Sequence, residues 1–556
     1  MIKNTFLLMF FLGMTFSRLF SQTCMCPCEC PPSNPPPTTP TGYLSLTFNN
    51  NSGVVGSDKV FFLIKGINPA TKHDCYVSFD PTTGKGACVD AISSLNSYNF
   101  SYPISAFPKN STGNVVFLPQ VDSGRIYLSV AYPLDLLVDP NSNKILDPDA
   151  LNTNDPNYYI LYDKIEFTYV TPGNPEVDLN PTAVDFFSLP LYLELFTNSG
   201  TQASGFTQNR ASIFSQIKAI FASYDTTPNK VWNNLIIPFI DPATQSEITQ
   251  LRIASTSKAM TTAPVLFDPM YLSNSAAYGY NWIQDVWSTY YRSHTLSIDA
   301  TELAPPNNQI FIGQVNNNNQ FVFTGASGAP TVTINLPSSS FPFFGAAGDT
   351  FNTQNNTPQA IIVRDLTSAA MVGMLPTASS NVLNRQFFAN NKWQYYTVNP
   401  FLSQTGKNTG PWYDLYSKAL HSFNDNIYTF AYDDLLGIDG TVAANMSDSP
   451  SLAISLGDLS GTTIPDPFTD PTLYAITVQF SPSNPISYQG QPLHYGQTLT
   501  NVPMPFSVEI MGSDKNKYTA NIYIKYPQVR PTYPGATGIK IEKNGPTAAT
   551  ITFPGL

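Results

Sequence analysis

Short apolar runs, many of them alternating with polar residues, fill residues 43–200. Alternation with a period of two places successive side chains on opposite faces of a strand. Gly, Pro, Asn and Asp separate the runs and favour turns. The pattern predicts a β-sandwich or barrel. Its strands are expected in YLSLTFNN, KVFFLIKGI, NVVFLPQ, GRIYLSVAY, KIEFTYV and AVDFFSLPLYLEL.

Helical spacing of apolar residues begins after residue 200 and predicts a mixed α/β domain over residues 201–410. Thr207 is expected to cap its first helix. Further helices are expected at 275–294 and 412–423, with strands such as QFVFTG and TVTINL among them. Aromatic residues on these helices are more typical of a core than of a ligand platform. The apolar face of the first helix comprises Ile213, Phe214, Ile217, Ile220 and Phe221.

Strand-like alternation returns near residue 465. LYAITVQF is expected to be the last strand of the main body, and residues 411–480 are expected to complete the core. FSVEIMG, YTANIYIKY, GIKIEK and AATITF follow. These runs predict a small C-terminal β appendage over residues 481–556.

The N-terminus has the three parts of a secretory signal peptide. Lys3 provides the positive charge, FLLMFFLGMTF the apolar core and LFS a cleavage site, so residues 1–21 are predicted to be this peptide. The apolar run is short for a membrane span, and no later run reaches about 18 apolar residues. The protein is therefore predicted to be secreted or held at the cell surface, without a membrane span. A monotopic anchor is the alternative.

Residues 22–42 contain a cysteine cluster and a Pro-rich linker. The cluster, CMCPCEC, precedes PPSNPPPTTP, in which six of ten residues are Pro and which predicts a semi-rigid spacer. In an extended chain the alternating thiols point the same way. Intermolecular disulfides are one interpretation, soft-metal binding is another, and an unstructured stub is the third. The four thiols are Cys24, Cys26, Cys28 and Cys30.

Two further cysteines, Cys75 and Cys88, flank the turn sequence DPTTGKG. In an exported protein they are expected to form a disulfide that closes a hairpin. Two free buried thiols are the alternative.

Composition and charge narrow the chemistry. The 556 residues include only 12% charged residues but 13% aromatic ones, and the net charge is −11. Without a basic stripe, nucleic acid is not expected as a partner, whereas a neutral glycan suits such a surface. The four His are scattered, which argues against a His-based zinc site. GxSxG, P-loop and GxGxxG motifs are absent. Carboxylates are left as the abundant acid and base groups, and no metal or cofactor is expected.

Glu166 and Asp185 each stand inside an apolar, strand-like run. Glycoside hydrolysis needs one carboxylic acid that protonates the leaving oxygen and a second carboxylate that activates water or attacks. Two adjacent antiparallel strands can hold such a pair across a groove. The structural alternative is that each carboxylate pairs with an Arg or with backbone amides.

Four segments in this order, SGRIYLS, IEFTY, VDFFSLPL and YTFAYDD, resemble the signatures of the thaumatin-like fold. Residues 192–427, 236 in number, separate SLPL from YTFAYDD, and the body has only two cysteines, so the chain is similar to glycoside hydrolase family 64. The resemblance spans about residues 43–480. It implies a thaumatin-like β domain and a mixed α/β domain flanking a wide groove. It also implies an inverting β-1,3-glucanase that releases laminari-oligosaccharides, typically pentasaccharides.

The resemblance assigns roles to individual residues. It implies that Glu166 is the general acid, with a pKa raised by partial burial, and that Asp185 is the general base. Inversion implies that the two carboxyl groups lie about 6.5–9.5 Å apart. Arg125 is expected to hold the base ionised; a purely structural Glu166–Arg125 ion pair is the alternative. The residues implied to bind substrate are Thr168, Thr182, Arg125, Tyr169, Asp178, Asp433 and Asp434.

This chain departs from the family between Glu166 and Asp185. The loop is a few residues longer, and the family's sugar-stacking Trp has no counterpart there, so Tyr169 is the candidate replacement. The family's acidic residue before Val-Asp corresponds to Asp178 or is replaced by Asn180. Two other functions remain open: a non-catalytic, thaumatin-like glucan-binding module, and a structural surface protein cross-linked through CMCPCEC.

Overall fold

The computed structural model describes residues 39–553 with internal gaps. The gaps are 94, 96, 154, 171–175, 226–230, 241–245, 263–266, 268–282, 284, 327, 346–356, 375–380, 398–412, 424–426, 467–473, 481–485, 503–505, 512–516, 523–539 and 546–547. The predicted signal peptide and CMCPCEC lie outside the described residues. Of the described residues, 40% are in strands and 22% in helices, which confirms the mainly β fold class with an α/β part.

The strands fall into two long series separated by helical segments. They are β1 Leu44–Asn50, β2 Val60–Ile67, β3 Asp74–Phe79, β4 Gly86–Asp90, β5 Ser101–Pro103, β6 Asn114–Leu118, β7 Val121–Val130, β8 Leu161–Val170, β9 Glu176–Pro181, β10 Phe186–Phe187, β11 Leu191–Thr197, β12 Gly200–Gly205, β13 Ile236–Ile240, β14 Glu247–Ala254, β15 Leu296–Asp299, β16 Ile310–Val315, β17 Gln320–Thr324, β18 Val332–Asn335, β19 Val382–Leu383, β20 Val442–Asn445, β21 Ser451–Leu456, β22 Tyr474–Phe480, β23 Ile486–Tyr488, β24 Gln491–Pro492, β25 Gln497–Val502, β26 Phe506–Met511, β27 Lys517–Ile522, β28 Lys540–Gly545 and β29 Ala548–Phe553.

The helices are concentrated in the middle of the chain. The α-helices are α1 Arg210–Tyr224, α2 Thr256–Thr262, α3 Tyr291–Ser293, α4 Ser340–Gly345, α5 Pro358–Met371, α6 Arg385–Asn390, α7 Leu415–His421 and α8 Asp433–Leu436. A π-helical turn at Asp285–Tyr290 precedes α3, and 3₁₀ turns occur at Ser57–Lys59, Ser97–Phe100, Ile104–Ala106, Asn233–Leu235, Lys392–Gln394 and Met446–Asp448.

Two sheets with a common apolar core form the first part of the fold. One has eight strands, in the order β20-β9-β8-β7-β2-β3-β4 with β5 against β2; the other has the order β12-β11-β21-β1-β6. Alternate residues of both sheets fill the core between them, for example Phe62 and Ile165 from one sheet and Leu46 and Leu193 from the other. The predicted sandwich therefore arises from the period-two pattern.

The centre of the five-stranded sheet contains a strand from far along the chain. β21 pairs in parallel with β1, Leu46 opposite Leu452, and antiparallel with β11, Leu193 opposite Ile454. In the sequence, residues 206–450 thus separate two segments, the β11–β12 hairpin and β21, that are neighbours in one sheet.

The mixed α/β region has a core of its own. In α1, Ile213, Phe214, Ile217 and Phe221 are buried as the helical spacing predicts. The prediction that Thr207 caps this helix was wrong: Asn209 is the N-cap, and its side chain accepts a hydrogen bond from Ser212 N. Thr and Asn are both good N-caps, so the sequence alone could not decide whether the helix begins after Thr207 or after Asn209.

The other helix predictions are met in part. The helix predicted at 412–423 is α7, which begins at the N-cap Asp414 and buries Tyr416. Of the segment 275–294, the structure describes the turn at Asp285–Tyr290 and α3, where Trp287 is buried; 275–282 and 284 lie outside the described residues. Aromatic residues on these helices belong to the core, as expected.

The C-terminal strands form two four-stranded sheets, β25-β22-β29-β28 and β24-β23-β26-β27, around a third apolar core. The prediction that LYAITVQF completes the main body was wrong. Its strand β22 pairs with β25 and β29, because its apolar residues, such as Ile476 and Val478, belong to the C-terminal core. The last strand of the main sandwich is β21.

The predicted disulfide between Cys75 and Cys88 is not formed, and both are free thiols. The antiparallel hairpin of β3 and β4 exists, but its register places Cys75 opposite Asp90 and Cys88 opposite Val77. The two cysteines are therefore diagonal neighbours on one face. Diagonal Cα atoms are about 7–8 Å apart, whereas a disulfide usually needs less than about 6.8 Å.

Within the described ranges, no helix is both long and apolar enough to span a membrane.

A β-bulge distorts β7 between Val121 and Gly124, and the facing residue of β2 is Gly66. A Cβ at Gly66 would lie 2.4 Å from Val121 Cγ1 and 2.9 Å from Asp122 O. Gly66→Ala is expected to lower the free energy of unfolding by about 1–3 kcal/mol, because backbone atoms must move. Urea denaturation followed by fluorescence measures the change.

The matched control is Gly56→Ala. Gly56 has φ −71°, and the nearest atom to its added Cβ belongs to the exposed Asp58 side chain, which can rotate away. Equal midpoints for Gly66→Ala and the parent protein would contradict the close packing at the bulge.

Candidate active site

Strand β8 directs two sets of side chains to opposite faces of the eight-stranded sheet. Ile165 and Phe167 are buried in the sandwich core, whereas Glu166 and Thr168 are half-buried on the other face. Because residues two apart share a face, Lys164 lies on the same side as Glu166. This side of the sheet carries the candidate site.

A row of polar residues crosses the sheet at Glu166. The register places Arg125 of β7 opposite Glu166, and Glu166 opposite Asn180 of β9. Arg125 is also the cross-strand neighbour of Lys65, which lies on the adjacent strand β2. Two cations directly opposite each other destabilise a strand pair, so this row requires an anion.

Asp147, from the segment between β7 and β8, supplies that anion. Its carboxylate lies 2.6 Å from Lys65 Nζ, contacts Arg125 Nη1 and accepts a hydrogen bond from the Tyr127 hydroxyl at 2.5 Å. Burial opposes the ionisation of Asp147, but Lys65 and Arg125 outweigh it and lower its pKa to about 2. Asp147 therefore stays negative at neutral pH and partly neutralises Arg125.

Arg125 also contacts the predicted acid. Its Nε and Nη2 each lie 3.2 Å from Glu166 Oε1. Arg125 was expected to hold the base ionised, and its charge does favour the ionised form of Asp185 and so lowers the pKa of that carboxyl. Its hydrogen bonds, however, go to the predicted acid, because the register places it opposite Glu166, and to Asp147. The Glu166–Arg125 ion pair considered from the sequence is thus present, and it borders an open cleft.

The cleft beside Glu166 has a volume of about 340 Å³. The bulge in β7, where Ser123 has φ +48°, forms one wall; bulges commonly occur next to functional sites. Asp185 is outside this lining and lies towards Lys164. The lining residues are Ser123, Gly124, Arg125, Glu166, Phe167, Thr168, Asp178 and Asn180.

Asp185 reaches the same face of the sheet from a bend. It was predicted on a strand adjacent to that of Glu166, but β9 occupies that place, and Asp185 precedes the two-residue β10, which pairs with β14. The long run containing Asp185 is divided by Pro190, which lacks the N–H that a continuous strand needs.

Two lysines surround the Asp185 carboxylate. Lys164 Nζ lies 2.5 Å from Oδ2, and Lys258 Nζ of α2 lies 4.0 Å from Oδ1. Burial opposes the ionisation of Asp185, but Lys164 and then Lys258 outweigh it, so the pKa of Asp185 is below its ordinary value. Asp185 is thus set to be an anion that can accept a proton.

Of the remaining predicted substrate-binding residues, Thr168 and Asp178 line the cleft, opposite each other on β8 and β9. Burial and the nearby Glu176 raise the pKa of Asp178. Thr182 is only 3% exposed and lines an internal cavity beside Lys164, so its predicted contact with substrate does not agree with the structure.

The suggestion that Tyr169 replaces the sugar-stacking Trp was wrong. Tyr169 belongs to the core-facing set of β8, is 1% exposed, and donates a hydrogen bond from its hydroxyl to Gly42 O at 3.0 Å. Strand alternation explains this outcome, because Tyr169 is an odd number of positions from Glu166.

The acidic pair of YTFAYDD separates into two environments. Asp433 is fully buried and accepts hydrogen bonds from Thr429 N at 2.5 Å and Thr429 Oγ1 at 2.7 Å. It therefore stabilises the turn before α8, and its predicted contact with substrate does not agree with the structure. Asp434 is 45% exposed and paired with Arg385 at 2.9 Å.

The YTFAYDD segment approaches the cleft through Tyr428. Tyr428 forms a β-bridge with Thr182, and its carbonyl accepts a hydrogen bond from Ala183 N at 2.7 Å. Burial raises the pKa of Tyr428, and the negative charges of Asp434 and Glu166 raise it further. The pKa of this tyrosine thus responds to charges from both the cleft and the acidic pair.

The histidines lie apart from the cleft. His421 Nε2 is 3.1 Å from Thr429 Oγ1 in the interior, and His294 stacks on Tyr290. Across the part of the chain that the structure describes, no three or more His, Cys, Asp or Glu side chains are grouped to hold a metal ion.

Sequence reasoning missed Lys164, Lys258 and Asp147. Lys164 was within reach, because it is two residues before Glu166 in a recognised strand and must share its face. Asp147 and Lys258 come from other segments of the chain, and their contacts depend on tertiary packing that no spacing reveals.

Residues 42–454 match the family described as β-1,3-glucanase, glycoside hydrolase family 64, and the chain belongs to this family. The protein is thus a glycoside hydrolase of the class that acts on β-1,3-glucan, as the resemblance implied. No curated protein matches the sequence.

Solved structures show the same fold. A laminaripentaose-producing β-1,3-glucanase in complex with laminaritetraose is 19% identical, with a TM-score of 0.52, and the match covers 75% of this chain and 99% of that one. A β-1,3-glucanase domain of family 64 from Clostridium beijerinckii is 22% identical, with a TM-score of 0.52 and coverage of 76% and 100%.

Asp433→Asn tests the structural role of Asp433. We expect it to lower the free energy of unfolding by about 2–3 kcal/mol, because a buried, charge-assisted hydrogen-bond network is weakened. Asp434→Asn is the matched control and should change it by less than about 1 kcal/mol, since its ion pair is exposed. Thermal unfolding of both variants measures the difference; equal stabilities would contradict the assignment.

Proposed function

We propose that this protein cleaves β-1,3-glucan with inversion at the anomeric carbon, with Glu166 as general acid and Asp185 as general base. The observation that carries the proposal is the placement of both carboxylates on one face of the eight-stranded sheet, Glu166 at the cleft and Asp185 against Lys164. The two side chains differ in partners, which is what two different roles require.

In this mechanism, Asp185 removes a proton from a water molecule as the water attacks the anomeric carbon. Glu166 donates its proton to the glycosidic oxygen of the leaving sugar. Arg125 lies 3.2 Å from Glu166, so it stabilises the carboxylate that forms as the proton leaves. Asp147 contacts the same guanidinium, so Arg125 is shared between two carboxylates.

Inversion is proposed on the family resemblance, and it sets a requirement on the distance between the carboxyl groups of Glu166 and Asp185. A carboxyl separation of about 6.5–9.5 Å leaves room for the attacking water, whereas retention needs about 5 Å.

Substrate recognition is proposed for the residues that line the cleft. Thr168, Asp178 and Asn180 present hydroxyl, carboxyl and amide groups, which suit sugar hydroxyls. Asn180 Oδ1 is buried and has no hydrogen-bond partner among the described residues. We further propose that the sandwich is thaumatin-like, that it forms a wide groove with the mixed α/β region, and that laminari-oligosaccharides are released.

Export is also part of the proposal. Residues 1–21 have the features of a signal peptide, and an extracellular glucan is a substrate that an exported enzyme can reach. Expression of the full chain should yield a secreted or surface-held product that starts near residue 22, measured by N-terminal sequencing of the culture fraction. An intact N-terminus in the cell fraction would contradict export.

Loss of multimers on reduction would support the cross-linking role of the cysteine cluster.

Glu166→Gln and Asp185→Asn test the assignment. Each is expected to reduce the release of sugar from laminarin or curdlan by several orders of magnitude, because each removes a proton-transfer group while keeping the shape. Glu194→Gln, in the five-stranded sheet away from the cleft, is the control and should retain activity.

The anomer that is released first distinguishes an inverting from a retaining mechanism. Proton NMR during the first turnovers should show the α-anomer as the initial product if hydrolysis inverts the β-linkage. Initial release of the β-anomer would contradict inversion. Binding of glucan without products from the parent protein would contradict hydrolysis and favour a binding module.

A further inference from the structure

Lys164 has a buried ammonium group. Its side chain is 5% exposed, and Nζ lies 2.5 Å from Asp185 Oδ2. A buried cation is unfavourable unless an anion compensates it. Asp163 is also buried, but burial raises its pKa to about 7, and its Oδ2 accepts backbone hydrogen bonds. Asp185 is the anion that Lys164 requires.

The segment that contains Asp185 is fixed at three points. The Asp185 carbonyl accepts a hydrogen bond from Ser255 N at 2.9 Å, and its carboxylate binds Lys164. Just downstream, Ser188 N and Leu189 N donate to Asp163 at 2.8 and 3.0 Å. Because Asp163 and Lys164 are consecutive in β8, one strand fixes both the backbone path of this segment and the direction of the carboxylate.

We propose that Lys164 is a positioning residue of the hydrolase, which holds the Asp185 carboxylate ionised and oriented towards the attacking water. The inference rests on the proposed role of Asp185 as general base. Lys164 itself does not touch the reacting atoms in this scheme; it acts through Asp185.

Other charged and titratable groups also face Asp185, and Lys164 outweighs them. Lys258 of α2 is farther away, at 4.0 Å, and 35% exposed, so solvent screens it. Arg125 of β7 favours the ionised form from a greater distance. The buried phenols of Tyr162 in β8 and Tyr416 in α7 also sense the Asp185 charge.

The sign of the effect follows from this arrangement. A base must be deprotonated to act, so activity falls as pH decreases through its pKa. The Lys164 charge lowers that pKa and extends activity to lower pH. Removing the Lys164 charge is expected to raise the pKa of Asp185, because burial disfavours the ionised carboxylate and Lys164 no longer offsets that effect.

The test is the pH profile of kcat/KM on laminarin for Lys164→Met, with the full protein. The acid limb of the profile should move to higher pH by about one unit or more, which is about a tenfold loss of rate at a pH on the acid side. Lys258→Met should move it less, and that shift should diminish in salt. Lys418→Met, which removes the ammonium between Tyr413 and Tyr224, should leave the limb in place.

Lys164→Arg keeps the charge and is expected to keep the acid limb near its original pH, even where changed geometry lowers kcat. If Lys164→Met does not fold, as judged by circular dichroism, a shifted limb in Lys164→Arg overturns the proposal and an unshifted one supports it. If Lys164→Met has reduced activity but its acid limb stays at the original pH, the proposal is overturned and Lys164 has a structural role only. Full activity of Asp185→Asn would instead overturn the base assignment on which it rests.

Discussion

The site depends on the two-sided geometry of β8. One set of its side chains closes the core between the two sheets, and the other set carries Lys164, Glu166 and Thr168. A shift of one residue in its register would exchange the two sets. The apolar side chains that fix the register, such as Ile165 and Phe167, therefore also fix the face of the sheet on which Glu166 lies.

Electrostatic compensation is the second constraint on this face. Lys65, Arg125 and Lys164 all lie on one side of the sheet, where the two lysines are nearly buried and Arg125 is half-buried. Asp147 and Asp185 balance them, each from outside the sheet. The strands therefore provide the cations, and the connecting segments provide the anions, so neither part of the chain is well formed without the other.

The sequence predicted the features that follow from hydrophobic periodicity and from the order of the motifs. It predicted the mainly β class, the sandwich strands β1, β2, β6, β7, β8 and β11, the helices α1 and α7, and the family. The roles of the site residues stay predictions. The sequence failed where the outcome depends on register or packing: the diagonal Cys75 and Cys88, the buried Asp433, and the core-facing Tyr169. Strand alternation, applied strictly, would have excluded Tyr169 and included Lys164.

The central position of β21 has a consequence for folding. The N-terminal strand β1 cannot acquire its parallel neighbour until residues 451–456 are available, so the closing contact of the sandwich joins segments about 400 residues apart. Contacts of such sequence separation slow folding. During synthesis the first sheet is therefore expected to stay open until most of the chain has been made, so its exposed strand edge must wait for a partner that is translated late.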